Sequence, residues 1–433
     1  MPELDFVLRA DSMTILFSTL SSLLWLLTTI YAIGYLEDSP NRRRFFGYFS
    51  LCVTATMGVS LAGNLITFFV FYELLTLTTY PLVVHRGTEK AVRAGAMYLR
   101  YTLGGSAAML IGMLWLYVLV GPFDFASTGA LRDLDPKYRW HLMVIFALLI
   151  GGLGVKAALI PLHRWLPEAM VAPAPVSALL HAVAVVKAGA FGIVRVIYDV
   201  YGIDFAHDLG VLKPLAVLAT ITILYGSLRA LAQDDFKRRL AFSTVSQVSY
   251  ITLGVTIFGP LATLGGLVHL VHQGVMKITM FFAAGNVAEA LGVHKISELD
   301  GAGRRMPLTM GAFTIAALGM IGVPPLAGFI SKWYLGYGAA VAGEYWVLGV
   351  LAGSSLLNAA YFLPILHRVW FKPQRGPWPH EHPQHGRLET TWWLLLPPVT
   401  TALLVVLAGV FAGHPASPLS WVKFISTREF IAP

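Results

Sequence analysis

The chain has 433 residues, 56% of them hydrophobic and only 12% charged, with a mean hydropathy of +0.68 and a formal net charge of +8. A soluble domain carries roughly 25% charged residues, so this composition describes an integral membrane protein and leaves no soluble domain of appreciable size. The single cysteine, Cys52, excludes an internal disulfide and any multi-cysteine metal or iron–sulfur site.

The first ten residues, with Glu3, Asp5 and Arg9, lack the basic-then-apolar pattern of a cleavable signal, so the first apolar segment is expected to act as the targeting element. A helical span needs about 20 apolar residues. Segments of that kind fall at 12–36, 45–62, 64–84, 93–120, 141–160, 174–200, 211–232, 239–258, 261–291, 305–337, 344–371 and 391–412. They predict an all-α polytopic membrane protein of about 12 transmembrane helices, forming a single membrane domain over residues 1–433.

Taken in chain order, these segments carry side chains that a bilayer disfavours. Glu73 stands in 64–84, Lys156 in 141–160, His181 and Lys187 in 174–200, His269, His272 and Lys277 in 261–291, and Lys332 in 305–337. A charge at the bilayer centre costs about 2.5 to 3.5 kcal/mol even on the lenient insertion scale, so a chain holding this many is expected to use them to move ions. Lysine suits the task because a buried ammonium can give up its proton, which a guanidinium does not. A carboxylate beside an ammonium is the simplest tunable element, which makes Glu73 and Lys156 the natural pair. A static buried ion pair that only fixes helix packing is the competing reading. Histidine accepts on one ring nitrogen and donates from the other. His269 and His272 share a helix face, with Lys277 further along, and one relay water could bridge His181 to Lys187. Hydrogen-bonded packing is the plain alternative for each histidine.

Two segments are interrupted alike. GGLGVKAALIPLHRWLPEAMVAPAP carries Pro161 soon after Lys156, with His163 beyond it, and GMIGVPPLAGFISKW carries Pro324, Pro325 and Gly328 before Lys332. Proline removes a backbone donor and clashes with the preceding turn, so each helix should break near mid-depth, where protein or water must satisfy the freed carbonyls. His163, Pro161, Pro324 and Pro325 are therefore candidate inlet or gating positions. The equivalent breaks predict two inverted five-helix repeats, 45–200 and 211–371, each with its broken helix as fourth member, flanked by 12–36 and 391–412. Ordinary proline kinks are the competing reading.

Basic residues gather in alternate turns: Arg42, Arg43 and Arg44, then Arg86, Lys90 and Arg93, then Arg164, then Lys237, Arg238 and Arg239, then Lys295, Arg304 and Arg305, then Arg368, Lys372, Arg375 and Arg387. The positive-inside rule places these turns in the cytoplasm and both termini outside it. The positive charge thus reads as topology in a cell membrane rather than as nucleic-acid binding, and the turn DDFKRR reads as a plain cytoplasmic loop. His380, His382 and His385 in the loop 372–390 are metal-binding by type, but a Pro-rich solvated loop is the plainer reading. No metal, cofactor or catalytic chemistry is expected of this chain alone.

At these residues the chain resembles the antiporter-like proton-channel subunits of NADH:quinone oxidoreductase (complex I) and of the multisubunit Mrp cation/proton antiporters. The resemblance runs through almost the whole chain. Its most specific pieces are FFVFYELLTLTTYPLV, GVKAALIPLHRWLPEAMVAPAPVSALLHAVAVVKAG, DDFKRRLAFSTVSQ, HQGVMKITMFFAAGNV and MIGVPPLAGFISKWYL, while KISELDGAGRRMPLTM resembles the D-type branch of the Mrp subunits. The resemblance implies that Glu73 pairs with Lys156 of the first broken helix, that His181 and Lys187 are central connecting residues, that Lys277 follows them, and that Lys332 lies at the exit. It implies protons passed along a hydrated axis at mid-membrane. The chain departs from the family in beginning, at RADSMTILF, where the third helix of its relatives would start, which bears on how it attaches to neighbouring subunits.

The expected function is that of a proton-translocating subunit of a multisubunit membrane complex. The D-type subunit of an Mrp cation/proton antiporter is the first setting, with sodium or potassium as candidate counter-ions. A proton-pumping subunit of a complex I-like or hydrogenase-like redox complex is the second setting, in which electrons flow elsewhere. A third is a structural subunit, or a proton-coupled partner in the uptake of another solute such as inorganic carbon.

Overall fold

The computed structural model describes residues 5–37, 39–126, 129–131, 136–381 and 388–430. Its long helices are α1 (Ser12–Tyr35), α2 (Arg42–Leu61), α3 (Leu65–Val83), α4 (Glu89–Val120), α5 (Arg139–Lys156), α6 (Ala174–Tyr201) and α7 (Leu212–Leu231). They continue with α8 (Phe236–Thr256), α9 (Pro260–Leu291), α10 (Pro307–Ile321), α11 (Ala327–Val341), α12 (Trp346–Phe371), α13 (Trp392–Val410) and α14 (Pro418–Phe430). Several begin on side-chain caps that satisfy the first free amides: Asp11 accepts from Thr14 N at 2.7 Å, Asn64 from Thr67 N at 2.9 Å, and Asp235 from Arg238 N at 2.7 Å.

Nine helices among the described residues are long and apolar enough to cross a membrane, and the protein is a multi-pass membrane protein. α2 falls outside that set because it opens on Arg42, Arg43 and Arg44, and α8 because it is rich in Ser, Thr and Gln. Buried along nearly its whole length, α8 never presents those groups to lipid. The helices that carry most of the ionisable residues behave likewise: the apolar windows of α6 and α9 are fully buried, against 33% for α4 and α12. The outer helices turn side chains such as Val118 and Leu356 outward, forming the apolar coat that lipid requires.

Both expected interruptions exist. After Lys156 the chain leaves the helix, with Ala158 at a positive φ of 57°. The groups freed there find protein partners, as a buried break demands: Trp165 Nε1 donates to Val155 O at 2.7 Å, and Ile160 N donates to Thr222 Oγ1 at 3.2 Å. The segment 305–337, expected as one broken helix, is resolved into α10 and α11, and the second piece runs on to Val341. Gly322, at φ 100°, ends α10. Gly328 packs so closely on the carbonyl of Gly319 that a Cβ there would lie 1.9 Å from its oxygen. Pro161, Pro324 and Pro325 are exposed on the isolated chain.

Two features go beyond the sequence reading. α6 contains wide turns, one of them closed by Ala184 N donating to Leu179 O at 2.9 Å, five residues back. Such π-type turns cluster at functional positions, and this one contains His181. α14 is an additional helix, too short and polar to span, lying across the bundle's end where Trp421 donates to Ser12 O and Ser426 to Pro260 O. At the same end Arg195 is fully buried, with hydrogen bonds to Asp11, Asp199 and Thr14. His382 and His385 lie outside the described residues.

Candidate functional site

Glu73 and Lys156 project from α3 and α5 to neighbouring positions, but no direct ion pair joins them. The Glu73 carboxylate, half-buried, accepts from Ser106 Oγ of α4. The Lys156 ammonium is fully buried, donates to the carbonyl of Tyr72, and lies 3.3 Å from the centre of the Tyr72 ring. Tyr72 is held in turn by its hydroxyl, which donates to Gly152 O at 3.3 Å. The two charges interact through space, with the ammonium docked on the backbone of the residue preceding the acid.

Gly189 sets the next spacing. A Cβ there would lie 2.3 Å from Ala157 N and 2.8 Å from Lys156 C, so the bare glycine lets α6 touch the broken end of α5. Two residues before it, Lys187 crosses the core in the other direction and donates to Leu270 O at 2.7 Å. Leu270 stands between His269 and His272 on α9, so the Lys187 ammonium ends beside the histidine pair.

His269 Nδ1 hydrogen-bonds Ser331 Oγ of α11 at 2.8 Å, and its ring lies 5.2 Å from that of Tyr250. It is within electrostatic reach of both Lys187 and Lys332. His272 lies beside the backbone of Ala327 and forms part of the wall of an apolar crevice of about 580 Å3 between α1, α9 and α13. His181 packs on Phe281 with ring centres 4.5 Å apart, and the charges of Lys277 and Lys237 reach it. Both ring nitrogens of His181, and both amide atoms of Gln273, are buried without a protein hydrogen bond. Buried polar atoms rarely stay unpartnered, and a polar interior of this kind is where ordered water resides.

The strongest connection links Lys277 to Lys332. Lys277 donates to Ser243 Oγ at 2.6 Å, and Ser243 Oγ meets the Tyr361 hydroxyl at 2.9 Å. Tyr361 donates to Asn358 Oδ1, and Asn358 Nδ2 donates to Met320 O at 3.2 Å. The same carbonyl accepts from Lys332 Nζ at 2.9 Å, and Lys332 also reaches Ile321 O and Ser355 Oγ. The sequence reading missed Ser243, Tyr361, Asn358, Ser331 and Ser106. The available signal was a tyrosine and an asparagine three apart in the apolar segment 344–371.

His163 joins none of these runs. It is half-buried, with its ring edge-on to Tyr225 at 5.1 Å.

This arrangement has relatives. Residues 62–358 match the family described as NADH:quinone oxidoreductase/Mrp antiporter, TM, and residues 2–46 match the N-terminus of NADH-Ubiquinone oxidoreductase (complex I), chain 5. The chain is 39% identical over 358 residues to NADH-quinone oxidoreductase subunit N of Desulforudis audaxviator, covering 80% of this chain and 70% of that one. It is 28% identical to the D-type subunit of the Na(+)/H(+) antiporter of Bacillus subtilis, covering 88% and 77% of the two chains. Among solved structures, a chain of the archaeal membrane-bound sulfane sulfur reductase superposes with a TM-score of 0.86 at 27% identity, over 98% of this chain and 83% of that one. The chain belongs to the NADH:quinone oxidoreductase/Mrp antiporter family of membrane subunits.

Proposed function

We propose that this chain carries protons across the membrane as an antiporter-like subunit of a multisubunit membrane complex. The observation that carries the reading is the run of donors and acceptors from Lys277 through Ser243, Tyr361 and Asn358 to the carbonyl shared with Lys332. Lys332 also satisfies carbonyls at the helix break, but Lys277 and the run through Ser243, Tyr361 and Asn358 go beyond what that break requires, and well-packed hydrocarbon side chains are often at least as stabilising as buried charges. Glu73 and Lys156 form the switch at one end, Lys187 and the histidines His181, His269 and His272 connect, and Lys332 delivers the proton. Water completes the gaps where buried ring nitrogens have no protein partner.

In this reading the blocks 45–200 and 211–371 are inverted repeats, with α1 and α13 flanking them. Pro161, Pro324 and Pro325 mark hinges, and His163 an inlet. The basic turns face the cytoplasm and both termini lie outside it, in the cell membrane. The test uses membrane vesicles containing the intact complex and a pH-sensitive dye. Glu73→Gln and Lys156→Met should each abolish gradient formation while the complex still assembles. A normal gradient in either variant removes the paired-switch role.

The Mrp-type antiporter, exchanging protons for sodium or potassium, is the first setting. The redox-coupled setting is favoured by the 39% identity to a quinone oxidoreductase subunit. Purification of the complex with mass spectrometry of its partners decides between them: small Mrp-type subunits support the antiporter, and iron–sulfur or hydrogenase-like subunits support redox coupling.

A further inference from the structure

Lys237 belongs by sequence to the charged turn DDFKRR, but it behaves unlike its neighbours. Arg238 pairs at the surface with Glu168 at 3.0 Å, and Arg239 turns back to the carbonyls of Gln233 and Tyr361. Lys237 instead points inward. Its ammonium donates to Ala172 O at 2.6 Å and to Ser177 Oγ at 3.3 Å. Ser177 is fully buried and precedes His181 by four residues, one helical turn along α6. The charge of Lys237 reaches His181, as does that of Lys277 from the other side.

The outer side of this lysine is equally specific. A polar cavity of about 510 Å3 opens at the basic end of the bundle, with Tyr35, Arg86, Pro173 and Glu289 in its wall. Pro173 is the residue after Ala172, whose carbonyl holds the Lys237 ammonium. Arg86 in the cavity wall and Asp235 at the start of α8 are the charged groups within electrostatic reach of Lys237. The ammonium thus sits one residue from a wall of a polar cavity roomy enough for water, and its charge reaches the buried histidine. Nothing in the requirements of a surface turn explains that placement.

We propose that Lys237 is the proton-loading residue of this cavity. It passes a proton by way of the Ser177 hydroxyl and intervening water to a ring nitrogen of His181, and from there to Lys277. The Lys237 ammonium becomes an amine as the His181 imidazole becomes an imidazolium; the imidazolium returns to imidazole as Lys277, in its amine form, takes the proton, and an excess proton carried in by cavity water restores the Lys237 ammonium. This inference rests on the proton-conducting reading above and assigns its entry point at the basic end.

The competing role is a mechanical clasp between α8 and the segment before α6. Arginine separates the two roles, because it keeps the charge and the hydrogen bonds but does not release its proton. In vesicles carrying the intact complex, Lys237→Arg and Lys237→Met should each lower the rate of gradient formation by roughly tenfold or more, and Arg238→Gln should leave it unchanged. Assembled Lys237→Arg complex working at the unaltered rate overturns the proposal. If Lys237→Arg does not assemble, Ser177→Ala decides: a several-fold loss of rate supports the relay, and an unaltered rate overturns it. Glu73→Gln run in parallel separates the two levels. A working Glu73→Gln complex overturns the conduction reading itself, whereas an inactive Glu73→Gln beside a fully active Lys237→Arg overturns only the loading role.

Discussion

Lys332, on the second half of the interrupted helix, donates hydrogen bonds to Met320 O and Ile321 O, the last carbonyls of the first half, both at 2.9 Å. One residue therefore does two jobs. It neutralises the negative end of the α10 dipole and satisfies carbonyls that the break leaves free, and it terminates the polar run from Lys277. Lys332→Met should lose about 1 to 2 kcal/mol of stability as well as proton transport. Lys332→Arg should recover most of the stability and none of the transport. Thermal unfolding of the purified complex, alongside the dye assay, reads both.

Tyr361 offers a cleaner cut. Its ring packs among apolar residues while its hydroxyl alone links Ser243 to Asn358, so Tyr361→Phe removes the connection and leaves the volume. Proton flux should fall by roughly tenfold or more, at a stability cost of about 1 kcal/mol. An unchanged flux would remove the Ser243–Tyr361–Asn358 run from the proton path.

Gly189 tests the spacing between Lys156 and Lys187. A methyl group at this position meets Ala157 N at 2.3 Å, a contact that only backbone movement relieves, so Gly189→Ala should cost about 1 to 3 kcal/mol and slow transport. Gly353→Ala, where the added carbon meets nothing within 4 Å, should do neither. Melting temperature and flux measured on both variants check the pair.

Asp11 predicts an acid sensitivity at the opposite end of the bundle. Burial pushes its carboxyl pKa up, but the hydrogen bonds and charge of Arg195 outweigh that effect and hold it below the ordinary value of 3.8. A carboxyl depressed in the folded state contributes stability that is present above its unfolded pKa and is lost as pH falls through the folded one. Melting temperature should therefore drop as pH falls below the ordinary aspartate range. Asp11→Asn should be less stable than the parent at neutral pH and should show a smaller drop in acid.

The titratable members of the candidate site stood out in the sequence because each breaks an energetic rule. A glutamate, four lysines and several histidines inside apolar runs need an explanation wherever they occur, and the proline interruptions near Lys156 and Lys332 marked where helices end. Ser243, Asn358, Ser331 and Ser106 break no rule: small polar residues are common in membrane helices, and only a partner across the bundle distinguishes a relay hydroxyl from an ordinary one. The inward turn of Lys237 was not legible for a related reason: its neighbours in DDFKRR make a compositional case for a cytoplasmic loop, and nothing in the sequence marks the one side chain that turns back to Ala172 O and Ser177 Oγ.

Sequence alone determined that this protein lives in a membrane, where its main helices lie, which two are interrupted, and which groups hold charge at an energetic cost. Those properties are local, set by transfer free energy and by proline's missing amide. Tertiary structure decided which charges meet. It docked Lys156 on the Tyr72 carbonyl rather than directly on Glu73, aimed Lys187 at the backbone between two histidines, and joined Lys277 to Lys332 through three side chains from two other helices. Hydrogen bonds depend on distance and direction to within a few tenths of an ångström, and that information exists only once the helices are packed.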